Sequence, residues 1–257
     1  MLVGGIGSGK STLLRSLPGR KFVYLFDSNG LAALQQSKGI DYIEFLPDQA
    51  SDLDLGVKTL KKDVADKSSV PRLEPRIYVE WEKDFNERRQ AGFFNDYNWI
   101  CFDSATSFQD AIYDRVQFLN GRFGKHPEEA DHTAQMNLFR QDMRAAATLT
   151  NLFVTAHIEQ QKDGLDGRIY GRILMTGKNR LRVPGMFAHI FATETSEESK
   201  YLLYSKPTRM HPVVRTSIHT LKPIEDVTMD MQKQLEDQGL ARILKPLGIH
   251  AASAAGR

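Results

Sequence analysis

Gly4-Gly5-Ile6-Gly7-Ser8-Gly9-Lys10-Ser11 satisfies G-x-x-x-x-G-K-[ST] at every fixed position, and no other stretch of the chain limits the fold so tightly. Such a loop needs glycines so that the backbone can turn its N–H groups inward around a phosphate. It needs a lysine to reach the β- and γ-phosphates and a hydroxyl to meet Mg2+. It also needs a strand before it and a helix after it, because a helix N-terminus favours the anion. Apolar Leu2 and Val3 precede the loop and Thr12-Leu13-Leu14 follow it. The expected nucleotide-binding residues are therefore Gly5, Ile6, Gly7, Ser8, Gly9, Lys10, Ser11 and Thr12, with the phosphates of a nucleotide and Mg2+ as their ligands.

A chain of 257 residues has room for one large α/β domain or a domain with a small appendage. The net charge is only +2, so a basic footprint for a polyanion has to be local. The single cysteine, Cys101, lies in an apolar run and has no internal disulfide partner, which suits a reducing compartment. No apolar run approaches about 18 residues and no basic-then-apolar leader is present. The expectation is a soluble cytoplasmic protein without membrane contact.

Periodicity then orders the elements. Phe22 to Phe26 is a continuous apolar run of the kind buried on both faces of a parallel sheet, after a first helix closed at Pro18-Gly19. It ends at Asp27-Ser28-Asn29-Gly30. A short helix is expected over Leu31 to Ser37 and a strand over Asp41 to Phe45. Leu53, Val57, Leu60 and Val64 recur at helical spacing, and the prolines and serines from Lys67 to Pro75 read as a loop. Ile77, Trp81 and Phe85 mark a helix reaching Gln90, and Phe108, Ile112 and Val116 mark another. Met136, Phe139, Met143 and Ala147 suggest a third over His132 to Leu149. Strands alternating with helices imply a parallel sheet.

Two strands deliver chemistry. Trp99-Ile100-Cys101-Phe102-Asp103-Ser104 places a carboxylate at a strand's C-terminal end, where a doubly wound sheet binds ligands. With the phosphate loop in the same chain, Asp103 is the expected support of the Mg2+ hydration shell opposite Ser11. Leu152 to His157 is an apolar strand with a polar end, and His157 is a candidate sensor of the γ-phosphate. Between Arg168 and Lys222 ten basic residues face three acidic ones, a bias that points to polyanion contact or to a cation offered to a neighbour's nucleotide. That region reads as β-rich, with strands over His189 to Thr193, Tyr201 to Tyr204 and Val213 to Ser217 and a turn at Glu197-Glu198-Ser199. Val227, Met231 and Leu235 suggest a helix within Ile224 to Leu244, interrupted by Gly239. The alanine-rich end from Ala251 is expected to be disordered.

Together, Gly4 to Thr12, Asp27 to Gly30, Tyr97 to Ser104, Asn151 to His157 and Gly177-Lys178 before Pro184 resemble the RecA-like ATPases of bacteriophages, a group that includes short recombinases annealing single-stranded DNA. The resemblance extends to about Lys222. It implies a RecA-like P-loop NTPase of α/β class that uses ATP and Mg2+ as cofactors, with a mostly parallel central sheet flanked by helices and a β-rich C-terminal part. Residues 1–222 would form the ATPase core and 223–257 a C-terminal helix and tail. Single-stranded DNA, its binding protein and self-assembly into a ring or filament are the implied partners. The resemblance maps phosphate binding onto Lys10 and Ser11, metal support onto Ser11 and Asp103, and the sensor onto His157.

Where relatives carry a glutamate that polarises the attacking water, this chain has Asn29, and an amide cannot take a proton. Hydrolysis is then slow, or Asp27 or Glu159 serves instead; Lys10, Asp27, Asn29 and His157 are the catalytic candidates. Two other functions fit the same loop. One is a nucleotide-gated binding module with little turnover. The other is a P-loop small-molecule kinase using Arg168 to Arg182 as a lid.

Overall fold

The computed structural model describes residues 1–35, 37, 39–46, 74–162, 164, 167–230 and 232–248. The helix expected over Ser51 to Asp66, the loop expected from Lys67 to Pro75 as far as residue 73, and the C-terminal end lie outside them. The described residues form an α/β fold around one mixed, mostly parallel nine-stranded sheet. The strands are β1 (Leu2–Gly4), β2 (Lys21–Leu25), β3 (Ile40–Glu44), β4 (Trp99–Asp103), β5 (Asn151–Lys162), β6 (Ile169–Ile173), β7 (Phe191–Thr195), β8 (Tyr201–Tyr204) and β9 (Ile224–Asp226). Their order is β3-β2-β4-β5-β1-β7-β8-β9, with β6 paired to the far half of β5. From β3 to β7 every pairing is parallel, and β6, β8 and β9 are antiparallel to their partners.

Alternation along the central strands builds two different layers, because successive side chains leave a strand on opposite faces. Phe22, Tyr24 and Phe26 of the β2 run join Ile100 and Phe102 of β4 on one face. There they meet α3 (Ile77–Gln90), α4 (Ala105–Leu119) and α5 (Glu129–Ala147) through Tyr78, Trp81, Phe85, Phe108 and Phe139. This layer is aromatic: the Trp81 and Phe108 centroids are 4.5 Å apart and their planes cross at 65°, the edge-to-face contact that ring quadrupoles favour. Val23, Leu25, Trp99 and Cys101 point the other way, onto α1 (Lys10–Leu14), α2 (Ser28–Leu34) and α7 (Gly239–Leu244). Cys101 is buried there, and burial pushes its thiol pKa up, so it packs as an apolar residue.

Several local expectations shift. Helix α1 ends at Leu14, before Pro18-Gly19, because Ser16 Oγ turns back to donate to Leu13 O at 2.7 Å. Helix α2 begins at Ser28 rather than Leu31, because Asp27 caps it by accepting the Asn29 N–H at 3.2 Å. Helix α5 begins at Glu129 rather than His132. Asp131 closes its first turn by accepting the Glu128 N–H at 3.0 Å, and is itself held by Arg122 and Asn120, each at 2.7 Å. Its buried face runs through Asp131, Gln135, Phe139, Met143 and Ala146, not Met136 and Ala147.

The C-terminal region departs most. Val213 to Ser217 is not a strand; it touches the sheet by the single bridge Ile190 to Arg215, while Arg215 donates to the carbonyls of Pro184 at 2.8 Å and Phe187 at 2.7 Å. No helix starts at Ile224: β9 occupies Ile224–Asp226 and joins β8, so the sheet continues past residue 222. Gly239 opens α7 instead of interrupting a helix. At φ 51 its backbone sits against Ser16, whose Oγ accepts the Leu240 N–H at 2.8 Å and ties α7 to the segment after α1.

Candidate functional site

The parallel strands carry the predicted residues to one edge of the sheet. Gly4 of β1 is level with His157 of β5 on one side and Thr193 of β7 on the other. Asp103 ends β4 level with Leu25 of β2, two residues before Asp27. A cavity of about 430 Å3 opens at this edge, lined by the loop from Ile6 to Thr12 and by Asp27, Asn29, Asp103, His157 and Tyr201. Its volume lies within the usual range of ligand pockets. A larger cavity of about 590 Å3 lies at the opposite edge, by Met1, Trp99 and Asn151 where β1, β4 and β5 begin, and holds none of the phosphate-loop residues.

The loop is clamped from behind. Thr193 Oγ1 donates to Ser8 O at 2.9 Å, Thr195 Oγ1 to Gly7 O at 3.1 Å, and Ser8 Oγ to Gly5 O at 2.8 Å. With the Ser8 and Gly7 carbonyls engaged by β7 and the Gly5 carbonyl by Ser8, the geometry suits a cradle made of N–H groups. Gly9 is required twice: its φ is 82, and a Cβ would lie 2.6 Å from the Tyr201 ring. Lys10 is buried, its Nζ donating to Gly5 O at 2.7 Å and Gly4 O at 3.1 Å. Burial lowers its pKa, and the Asp103 and Asp27 carboxylates oppose that.

Asp103 is only 2% exposed. Its Oδ1 accepts from Thr155 Oγ1, whereas Oδ2 is buried with no hydrogen-bond partner among the described residues. Burial raises its pKa, while the neighbouring Ser11 and Thr155 hydroxyls pull it back. A buried, half-satisfied carboxylate next to a lysine and a hydroxyl is costly unless a cation or donor completes it.

His157 is tied on two sides: its backbone N–H donates to Thr106 Oγ1 of α4 at 3.1 Å, and Nε2 stands 3.1 Å from Asp27 Oδ2. That bond, joined by the Asn29 N–H, holds the Asp27 carboxyl below the usual carboxylate range. Asn29 is exposed, in the first turn of α2 rather than at the end of a strand. Glu159 lies two residues beyond His157 but is engaged by Arg172 across the β5–β6 hairpin and does not line the cavity.

Of the basic residues after Arg168, Arg172 and Arg215 serve the fold and Lys200 pairs with Glu198. Lys178 caps the short helix α6 (Asn179–Arg182), which carries Arg180 and Arg182, and no ion pair engages the three among the described residues. The chain reaches α6 from Leu174, on the cavity wall, through Thr176, which receives Gln109 Nε2 at 2.9 Å. Sequence reasoning missed Tyr201, Thr193 and Thr195; the one available signal was the alternation of Thr193 and Thr195 along a strand, and nothing in the string ties that strand to a loop 185 residues away. No helix of the described residues is long and apolar enough to cross a membrane. Comparison with protein-family models and with curated proteins finds no match to this chain.

Proposed function

We propose that this protein is a RecA-like P-loop ATPase that binds ATP with Mg2+, hydrolyses it, and acts on DNA in recombination, single-strand annealing or remodelling. The observation that carries this reading is the buried Asp103 carboxylate, with Oδ2 unpartnered among the described residues, on the same cavity wall as Lys10 and Ser11. These residues fit the group: Lys10, Ser11 and the loop N–H groups would hold the triphosphate, and Ser11 and Asp103 would hold the metal. When bound there, Mg2+ would neutralise negative charge on the triphosphate. The strand order, with β5 between β1 and β4, supports the RecA-like assignment, because it sets His157 between the loop and Asp103.

Asp27 is the carboxylate placed to act on water. It is ionised at neutral pH, faces the cavity, and is oriented by His157. Lys178, Arg180 and Arg182 supply the cationic patch for single-stranded DNA, with its binding protein and further copies of this chain as the other partners. A nucleotide-gated module with little turnover is the second reading, favoured by exposed Asn29 where a glutamate was expected.

The test is steady-state ATP hydrolysis with and without single-stranded DNA, run beside Lys10→Ala. Stimulation by DNA supports the coupled machine, and tight ATP binding without turnover supports the module. Lys10→Ala should weaken ATP by about ten- to hundredfold, since hydrogen bonds to charged groups contribute about 1.5–3 kcal/mol. Unchanged affinity would remove the phosphate-loop assignment.

A further inference from the structure

Tyr201 is the aromatic side chain on the cavity wall, and it arrives there from β8, a strand with no part in holding phosphate. Its ring lies directly on the backbone of Gly9: a Cβ at that glycine would stand 2.6 Å from two ring carbons and 3.1 Å from a third. The ring is therefore fixed beside the point where the phosphate loop turns into α1. The polar groups around it are already committed. Thr195, its cross-strand partner, gives its hydroxyl to Gly7 O at 3.1 Å; Thr193 gives its own to Ser8 O at 2.9 Å; and Thr228 Oγ1 accepts the Tyr201 N–H at 2.9 Å. Among the described residues the Tyr201 hydroxyl makes no hydrogen bond that would turn the ring away from the cavity, and it can donate or accept. The charged groups of the site, Lys10, Asp27 and Asp103, and the His157 ring beside Asp27 belong to the phosphate side.

Resting on the nucleotide-binding reading, we propose that Tyr201 is the platform on which the nucleobase stacks, and that the site takes nucleoside triphosphates with little discrimination between adenine and guanine. Strong discrimination needs fixed donors or acceptors on the base edge, left unsatisfied by the wrong base. A π-face with a rotatable hydroxyl provides neither, since every base has a face to stack. The loop grips the triphosphate, and the ring holds the base without reading it.

Binding of ATP, GTP and inorganic tripolyphosphate, each with Mg2+, to the wild type, Tyr201→Ala and Tyr201→Phe tests this. The wild type should bind ATP and GTP within about fivefold of each other. Tyr201→Ala should weaken both by about five- to hundredfold, the range that base–aromatic stacking gives, while tripolyphosphate binding is unchanged. Tyr201→Phe should behave as the wild type. If Tyr201→Ala weakens tripolyphosphate as much as ATP, the ring only supports Gly9 and the proposal is wrong. A wild-type preference above about a hundredfold for one purine would also overturn it, by showing that the base edge is read. A wild type that binds none of the three would fail at the nucleotide reading itself, before Tyr201 enters.

Discussion

Asp27 and Asp103 are the carboxylates on the cavity wall among the described residues, and their surroundings push them in opposite directions. Burial raises Asp103 toward neutrality; the His157 bond keeps Asp27 ionised. Under the proposed function these two carboxylates have different tasks, metal support for Asp103 and work on water for Asp27. Asp27→Asn should therefore lower turnover by about 10²- to 10⁴-fold with ATP affinity changed less than about threefold. Glu159→Gln, off the cavity and tied to Arg172, should leave turnover within about threefold. The reverse pattern would move the base to the β5–β6 hairpin. Because the folded pKa of Asp27 is depressed, its contribution to stability is complete above the unfolded carboxylate value and disappears only as pH falls through the folded one, so it adds no pH dependence near neutrality. Lys10, Ser11 and Asp103 were legible because loop spacing and a strand-ending carboxylate are local signals. Asn29 was misplaced because helix α2 starts at Asp27's cap, and nothing in the local string separates that from a strand end.

Helix α3 was legible to its C-terminal end at Gln90, since Ile77, Trp81 and Phe85 stand at helical spacing and Gly92 follows. Helix α5 was harder, because two of its buried positions, Asp131 and Gln135, are polar. The α3–α5 contact also holds a carboxylate out of its normal state. Asp142 accepts from Tyr78 Oη at 3.2 Å, and burial, reinforced by Glu82 and opposed by the Tyr78 bond, pushes its pKa up to about 7. A raised carboxyl stabilises the fold fully below its unfolded value of about 3.9 and loses that contribution as pH climbs to the folded one. Stability should thus fall from pH 5 to 7 and level off above. Asp142→Asn should remove about 1–3 kcal/mol of that fall, read as urea midpoints at pH 5 and 8. Asp110, pushed up to about 6 by burial and by Asp114, acts in the same direction and remains in the variant. An equal fall in variant and wild type would mean that Asp142 ionises freely.

At the scale of the molecule, the parallel sheet was legible and its order was not, since hydrophobic runs announce strands without naming their neighbours. The region after Arg168 shows the same limit: composition gave a basic bias, and only the structure separates Arg172 and Arg215, spent on the fold, from Lys178, Arg180 and Arg182. If the last three meet single-stranded DNA, Arg180→Ala with Arg182→Ala should reduce the slope of log affinity against log salt by about 0.7 for each phosphate that is no longer neutralised. Loss of ATP hydrolysis with the wild-type slope would instead place these cations on a neighbouring subunit's nucleotide.

Strand β1 lies inside the sheet, and the clamp behind its loop comes from far along the chain: Thr193 meets Ser8 across 185 residues and Thr195 meets Gly7 across 188. On a ribosome, which releases the chain from its N-terminal end, the phosphate loop therefore emerges long before the strands that shape it. Contacts this distant in sequence slow folding, because a long loop must close before they contribute. If the loop binds nucleotide as proposed, binding becomes a late event in the protein's synthesis, and nascent chains stalled before β7 should bind no ATP although the whole glycine-rich motif has left the exit tunnel.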